Sequence, residues 1–255
     1  LAMTCVYSGG MFVCGQARAA VITTPQQYSS GAVVTDDIDI TIDSGSGQYA
    51  IEATDGIQHN HVDLTGDVKI TAAAGNYALY VYQSTCGYSG VLRVNPNEDK
   101  TVQIVGDVKG VVSGQMDIRL TSADSYFVGA MEMVEEPGNS YKNGKISLTL
   151  KNQAVWYPTS NELKLAVSDY GYAALKTSVD FADGIIDLYH SRPGVVHNNA
   201  SQRTFTISSL EDNYLKNSGT FLIGSDITGV NNAGTGTADK IVFDGTRYSN
   251  PDVFT

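Results

Sequence analysis

Apolar and polar residues alternate with a period of two in short segments spread along the whole chain. Ile38, Ile40 and Ile42 alternate with Asp39, Thr41 and Asp43, and the pattern recurs in "DVKIT" (67–71), "YALYVY" (77–82), "TVQIV" (101–105), "MDIRLT" (116–121), "KISLTL" (145–150), "ELKLAV" (162–167) and "TFTI" (204–207). That period sends successive side chains to opposite faces of a strand. Clusters such as "SGSG", "TGD", "AAGN" and "NPNED" punctuate the runs as turns. The best helix candidates are 172–182 and 209–217, and neither carries two clean turns of an apolar stripe. The expectation is an all-β chain of many short strands.

Two architectures fit such a chain. One is a sandwich or barrel; the other is a parallel β-helix, whose crossovers are themselves strands and turns. Hairpin-type dipeptides begin at Asp55, Asn143, Asp183 and Asp244, so turn propensity leaves both open. A faint repeat favours the solenoid. "ITAAAGNYAL" from Ile70 matches "LTSADSYFVG" from Leu120, setting Thr71 with Thr121, Ala73 with Ala123 and Tyr77 with Phe127. That offset predicts two rungs of roughly 25 residues each. "GDVK" also recurs, at 66–69 and 106–109.

The net charge of −11 argues against nucleic acid or anionic lipid as a partner bound through a basic surface. The first residues, "LAMTCVYSGGMFVCGQARA", read as the end of an export signal, with Ala17-Arg18-Ala19 as the cleavage motif and the cut between Ala19 and Ala20. Removal of that segment takes Cys5 and Cys14 with it and leaves Cys86 alone, so packing rather than a disulfide must supply stability.

The last hundred residues carry a resemblance. "KISLTLKNQAVWYPTSNELKLAV" (145–167), "FADGIIDLYH" (181–190), "QRTFTISSL" (202–210) and "GTFLIGSDITGVNNAGTGTADKIVF" (219–243) follow one another in an order and spacing that resembles the C-terminal part of pertactin-like, AIDA-type autotransporter passengers. The matching positions are Asn152, Ala154, Val155 and Trp156; Gly184, Ile186, Asp187 and Leu188; Thr206 and Ile207; Gly219, Thr220, Phe221, Ser225, Asp226 and Ile227; and Asp239 to Val242. Gln153 and Asp183 stand where the family has turn glycines, Gly224 stands where it has Asn, and 228–237 is a variable insert.

The resemblance implies a right-handed, single-stranded parallel β-helix exported to the bacterial cell surface. It divides the chain into a signal remnant (1–19), N-terminal rungs (20–144), a C-terminal autochaperone region (145–244) and a segment leading to an outer-membrane barrel (245–255). The implied role is structural and adhesive rather than enzymatic, without cofactor. The implied partners are an unidentified host-cell or matrix ligand and the protein's own barrel. The folding template would be built on Trp156, Ile186, Leu188, Phe205, Ile207, Phe221, Ile223, Ile241 and Phe243. Trp156 reads as a cap on a corner of the core.

Candidate chemistry is thin. "DSGSG" (43–47) resembles a serine-protease motif, but no His precedes Ser44, so it reads as a turn. His59, His61 and Asp63 would share one strand face, which also describes a solvated face with Val62 and Leu64 inward. Asp36, Asp37, Asp39 and Asp43 read as a solvated acidic edge rather than a calcium site. A polysaccharide-degrading enzyme is the alternative, with Asp180, Asp183 and Asp187 as its carboxylates and Arg192 as the accompanying basic residue. Tyr77, Tyr80, Tyr82 and Tyr88 could stack on sugars, although the match of Tyr77 with Phe127 suggests a core ladder.

Overall fold

The computed structural model describes residues 3–8, 11–16, 20–28, 31–43, 45, 47–53, 61–83, 91–134, 144–164, 166–169, 174–197, 203–208, 215–216, 219–226 and 237–244. Each of five successive turns, from Gln26–Tyr28 to Val155–Tyr157, contributes one strand to each of three sheets of stacked parallel strands. The first face collects Val33–Val34, His61–Leu64, Val91–Val94, Gln115–Leu120, Lys145–Leu150 and Ala174–Asp180. The second collects Ile38–Ile42, Val68–Ala72, Val102–Val105, Tyr126–Val128, Val155–Tyr157, Ile185–Asp187 and Thr220–Leu222. The third holds Gln26–Tyr28, Tyr49–Ala53, Tyr77–Gln83, Asp107–Val112 and Met131–Val134. This cycling order is a parallel β-helix. Stacking pairs every interior strand on both edges, so only the ends of each sheet stay open.

Period-two patterning becomes a core because register keeps like residues above one another. On the second face Ile40, Ile70, Ile104, Phe127, Trp156, Ile186 and Phe221 form one ladder. On the first, Leu64, Val94, Ile118, Leu148 and Val179 form another. All but Phe221 are almost wholly buried, and Phe221 packs against the same core. Each such aliphatic side chain gives up roughly 1.5–3 kcal/mol of exposure to water.

The corners between first and second faces are tight. A Cβ on Gly184 would lie 2.1 Å from that of Leu150 in the rung below, and one on Gly66 would lie 2.3 Å from the Asp36 carbonyl oxygen. Only a hydrogen fits there. Polar side chains satisfy the same corners: Asn95, wholly buried, accepts from the amides of Asp99 and Lys100 and donates to Thr121 Oγ1 and the Arg119 carbonyl. Gln153 and Asp183, where the resembled family has glycine, keep left-handed φ of 64° and 71°. Asp183 Oδ1 accepts the Asn152 amide at 2.7 Å.

The best helix candidate, 172–182, holds the strand Ala174–Asp180, as the all-β expectation requires, with alternate residues Thr177, Val179 and Phe181 drawn into the core. Of the second candidate, Leu215–Lys216 is strand and 209–214 lie outside the described residues. The repeat offset misleads. Tyr77 belongs to the third face and Phe127 to the second, and the two "GDVK" segments likewise fall on different faces. Neighbouring rungs are more often 30 residues apart, as for Lys69 and Asp39. Asp39 is not solvated but 5% exposed, with Lys69 Nζ 3.0 Å from its carboxylate.

Within the expected template core, Trp156, Ile186, Leu188, Phe205 and Ile207 are buried, and Phe221 and Ile241 pack against them. Ile223 and Phe243 are not core: they are 43% and 40% exposed. Phe243 pairs with Ile207 on the outermost strand of its sheet, and Ile223 follows the end of Thr220–Leu222. At the other end, Met3–Ser8 and Met11–Gln16 form a separate antiparallel hairpin with Cys5 opposite Cys14. Ala19, Ser44, His59, Cys86 and Tyr88 lie outside the described residues, and Ala20 is exposed.

Candidate functional site

The third wall of the helix breaks after Met131–Val134. The next strand on that side, Glu162–Lys164, pairs not with it but with Thr204–Ser208, which in turn pairs with Lys240–Asp244. The break leaves a cleft of about 380 Å³, lined among others by Asp107, Met131, Glu132, Ser160, Glu162 and Lys164. Its size falls in the range of small-molecule sites. Asp107 braces it, accepting the Ala130 amide at 2.8 Å and the Thr159 hydroxyl at 3.0 Å. Glu162 accepts the Ser208 hydroxyl at 2.9 Å.

A stripe of outward side chains leads to this cleft. Gln27, Glu52, Tyr80, Lys109 and Glu132 stand in register on five successive third-face strands. Tyr49 and Tyr77 pair beside them. The Tyr49 and Tyr80 rings stack at 3.8 Å, and Lys109 Nζ sits 4.9 Å over the Tyr77 ring. Lys109 also donates to the Tyr77 hydroxyl at 3.3 Å, and that hydroxyl donates to Glu132 at 3.4 Å. Burial pushes the Glu52 carboxyl up from its usual range and does the same, with help from Tyr49, to the Tyr80 phenol. The tyrosines are half-buried, so they retain partial access to solvent.

A second polar cluster fastens the new wall. The Arg203 guanidinium donates to the carbonyls of Pro158 and Ser160 and to Asn161 Oδ1. The Asp239 carboxylate accepts the amides of Arg203 and Gly224, tying two strand starts together. His197 Nε2 lies 3.2 Å from Arg203 Nη1 and must be its unprotonated acceptor, since guanidinium only donates. Burial, then the Arg203 charge, hold the His197 pKa below the ordinary value; His190 acts in the same sense, and Asp239 and Asp187 oppose it. A histidine depressed in the folded state takes protons more readily unfolded, so its stabilisation is present above about pH 6.5 and fades as pH falls below that value. The denaturation midpoint should therefore fall between about pH 7 and about pH 5, and His197→Gln should flatten that slope. An unchanged slope would remove His197 as its source.

The residues singled out in the sequence scatter. Asp63 is held by Arg93 in a fork at 2.6 and 2.5 Å, which occupies it, and the described residues contain no group of three metal-ligating side chains. Asp183 sits at a corner, while Asp187 accepts the Tyr189 and His190 amides and contacts His190 Nδ1 at 2.8 Å. Tyr77, Tyr80 and Tyr82 do share the third face. Tyr49, Glu132 and Glu162 were missed, because nothing local marks residues that meet only through rung stacking. No family model, no curated protein and no solved structure matches this chain.

Proposed function

We propose that this chain is the passenger portion of an autotransporter-type surface protein, a β-helical stalk with an adhesive role and a C-terminal folding template. The observation that carries the reading is where the resembled motifs fall. They occupy successive strands in stacked register: Trp156 on Ile186 on Phe221 in one ladder, and Phe205 and Ile207 beside Ile241 and Phe243 in another. The motif aspartate, Asp239, holds two strand starts, which gives it a physical role. The polysaccharide-degrading alternative names Asp180, Asp183, Asp187 and Arg192, none of which lines the cleft; the carboxylates that do are Glu132 and Glu162, and turnover of a polysaccharide by the purified chain would favour that alternative.

In the template reading, residues 202–244 form the last rungs on which earlier ones stack during export. Long-range parallel pairing is slow without a preformed edge, so loss of that edge should harm folding more than a comparable distal change. Phe221, whose ring lies 5.3 Å from that of Phe181, is the test position. Phe221→Asp places a charge against the core and should abolish protease-resistant display on intact cells expressing the full-length gene. The region encoded downstream should contain amphipathic barrel strands. Display at wild-type level in Phe221→Asp would overturn the template role, and a chain confined to the cytoplasm would overturn the passenger role.

A further inference from the structure

We propose that Tyr49 and Tyr80 are a site of oxidative cross-linking, where a one-electron oxidant joins the two rings by a carbon–carbon bond and staples neighbouring rungs together. The site begins with a double step in the burial pattern. Ala50 and Ile51 are both buried on one strand, and Ala78 and Leu79 on the next. Two inward residues in a row interrupt strict alternation, so Tyr49 and Glu52, and likewise Tyr77 and Tyr80, all lie half-buried on the outer side. Rung stacking then lays the Tyr49 ring on that of Tyr80, with centroids 3.8 Å apart and planes inclined by 15°. At that separation the ring carbons of one phenol are in van der Waals contact with those of the other.

Burial, then the charge and a hydrogen bond of Tyr49, raise the Tyr80 phenol above its ordinary pKa. That hydrogen bond sets both hydroxyls at the same end of the pair, so the carbons beside them face one another. Tyr77 is no competitor: its ring is tilted by 34° at 5.8 Å from Tyr49, and its hydroxyl is held between Lys109 and Glu132. In the cross-link, each phenol gives one electron to the oxidant and its hydroxyl proton to water. The two phenoxyl radicals form one bond between ortho carbons, and the hydrogen on each of those carbons moves to its oxygen. Two hydrogens are lost in all, and two equivalents of oxidant are each reduced by one electron. The new bond closes the chain between Tyr49–Ala53 and Tyr77–Gln83, and closing such a loop restricts the unfolded chain. In a solenoid the gain stays with the rungs it joins.

Photo-oxidation of the dilute purified protein with a ruthenium tris-bipyridyl complex and persulfate, which supplies a small one-electron oxidant, tests this. The expected product is a monomer lighter by two hydrogens, in which mass-spectrometric mapping finds the Tyr49 peptide joined to the Tyr80 peptide. Its yield should exceed that from the urea-unfolded protein by at least about tenfold, because the fold holds the reacting carbons in place. Tyr49→Phe and Tyr80→Phe keep the ring and its packing and should each abolish the product, whereas Tyr77→Phe should leave it. Amide hydrogen exchange in Tyr49–Ala53 and Tyr77–Gln83 should be slower in the cross-linked monomer than in the untreated one. No cross-linked monomer, a link through another pair of tyrosines, links only between chains, equal yield in urea, or a product that survives Tyr80→Phe would overturn the proposal. The assay uses purified protein, so its failure is separate from a failure of the surface-display reading.

Discussion

Replacing Trp156 by alanine is expected to lower folding stability by about 3–5 kcal/mol, the cost of emptying a large buried site that cannot collapse. The indole is 2% exposed and lies at the centre of an aromatic stack. Phe127 is parallel to it at 6.1 Å, and Phe205 meets it edge-on at 6.2 Å. Its Nε1 donates to the Gly129 carbonyl at 2.9 Å, which closes the corner between second and third faces. The stack joins two walls, since Phe205 belongs to the strand that rebuilds the third side after the break. Loss of the ring should therefore uncouple the C-terminal sheet as well as loosen the ladder. The measurement is a urea denaturation midpoint by circular dichroism, because Trp156 is the sole tryptophan and its fluorescence leaves with it. Trp156→Phe should recover most of the loss. A cost below about 1 kcal/mol for the alanine variant would mean that the site is not the junction described.

Arg203→Met is the second large effect. The methionine keeps the stem's bulk but leaves the carbonyls of Pro158 and Ser160 and the Asn161 side chain without their shared donor. Roughly 3 kcal/mol should go, and it should go locally. In a solenoid each rung leans only on its neighbours, so the damage belongs to Glu162–Lys164, Thr204–Ser208 and Lys240–Asp244. Amide hydrogen exchange should show protection in those strands falling about 100-fold while Val68–Ala72 and Val102–Val105 keep theirs. Arg203→Lys should fail to rescue, since a single ammonium cannot reproduce the fork. Uniform loss of protection along the chain would contradict the local role.

Strand content and the inward residues were legible because a strand's period of two acts within a few residues. Ile38–Ile40–Ile42 and Ile146–Leu148–Leu150 bury just as their alternation requires. Burial of Trp156 likewise follows from the only indole sitting in an apolar strand. The parallel β-helix itself came from the order of motifs after residue 145, since alternation alone serves a sandwich equally well. Residues 174–180 carry helix-formers but no apolar stripe, and stacking of Val179 on Leu148 makes them the strand that an all-β chain requires.

By itself, then, the sequence determined which residues alternate, where the chain turns, and which side chains are apolar enough to form a core. Rung register, the exposure of Ile223 and Phe243, and the burial of Asp39 were decided only by the tertiary structure. So were the break between Met131–Val134 and Glu162–Lys164, and the meeting of Tyr49, Tyr80, Glu132 and Glu162 along one face. The physical reason is the range of the forces involved. Strand geometry is set by neighbours in sequence, whereas stacking joins residues about 30 positions apart, as for Lys69 and Asp39, and turn lengths that vary from rung to rung fix which pairs meet.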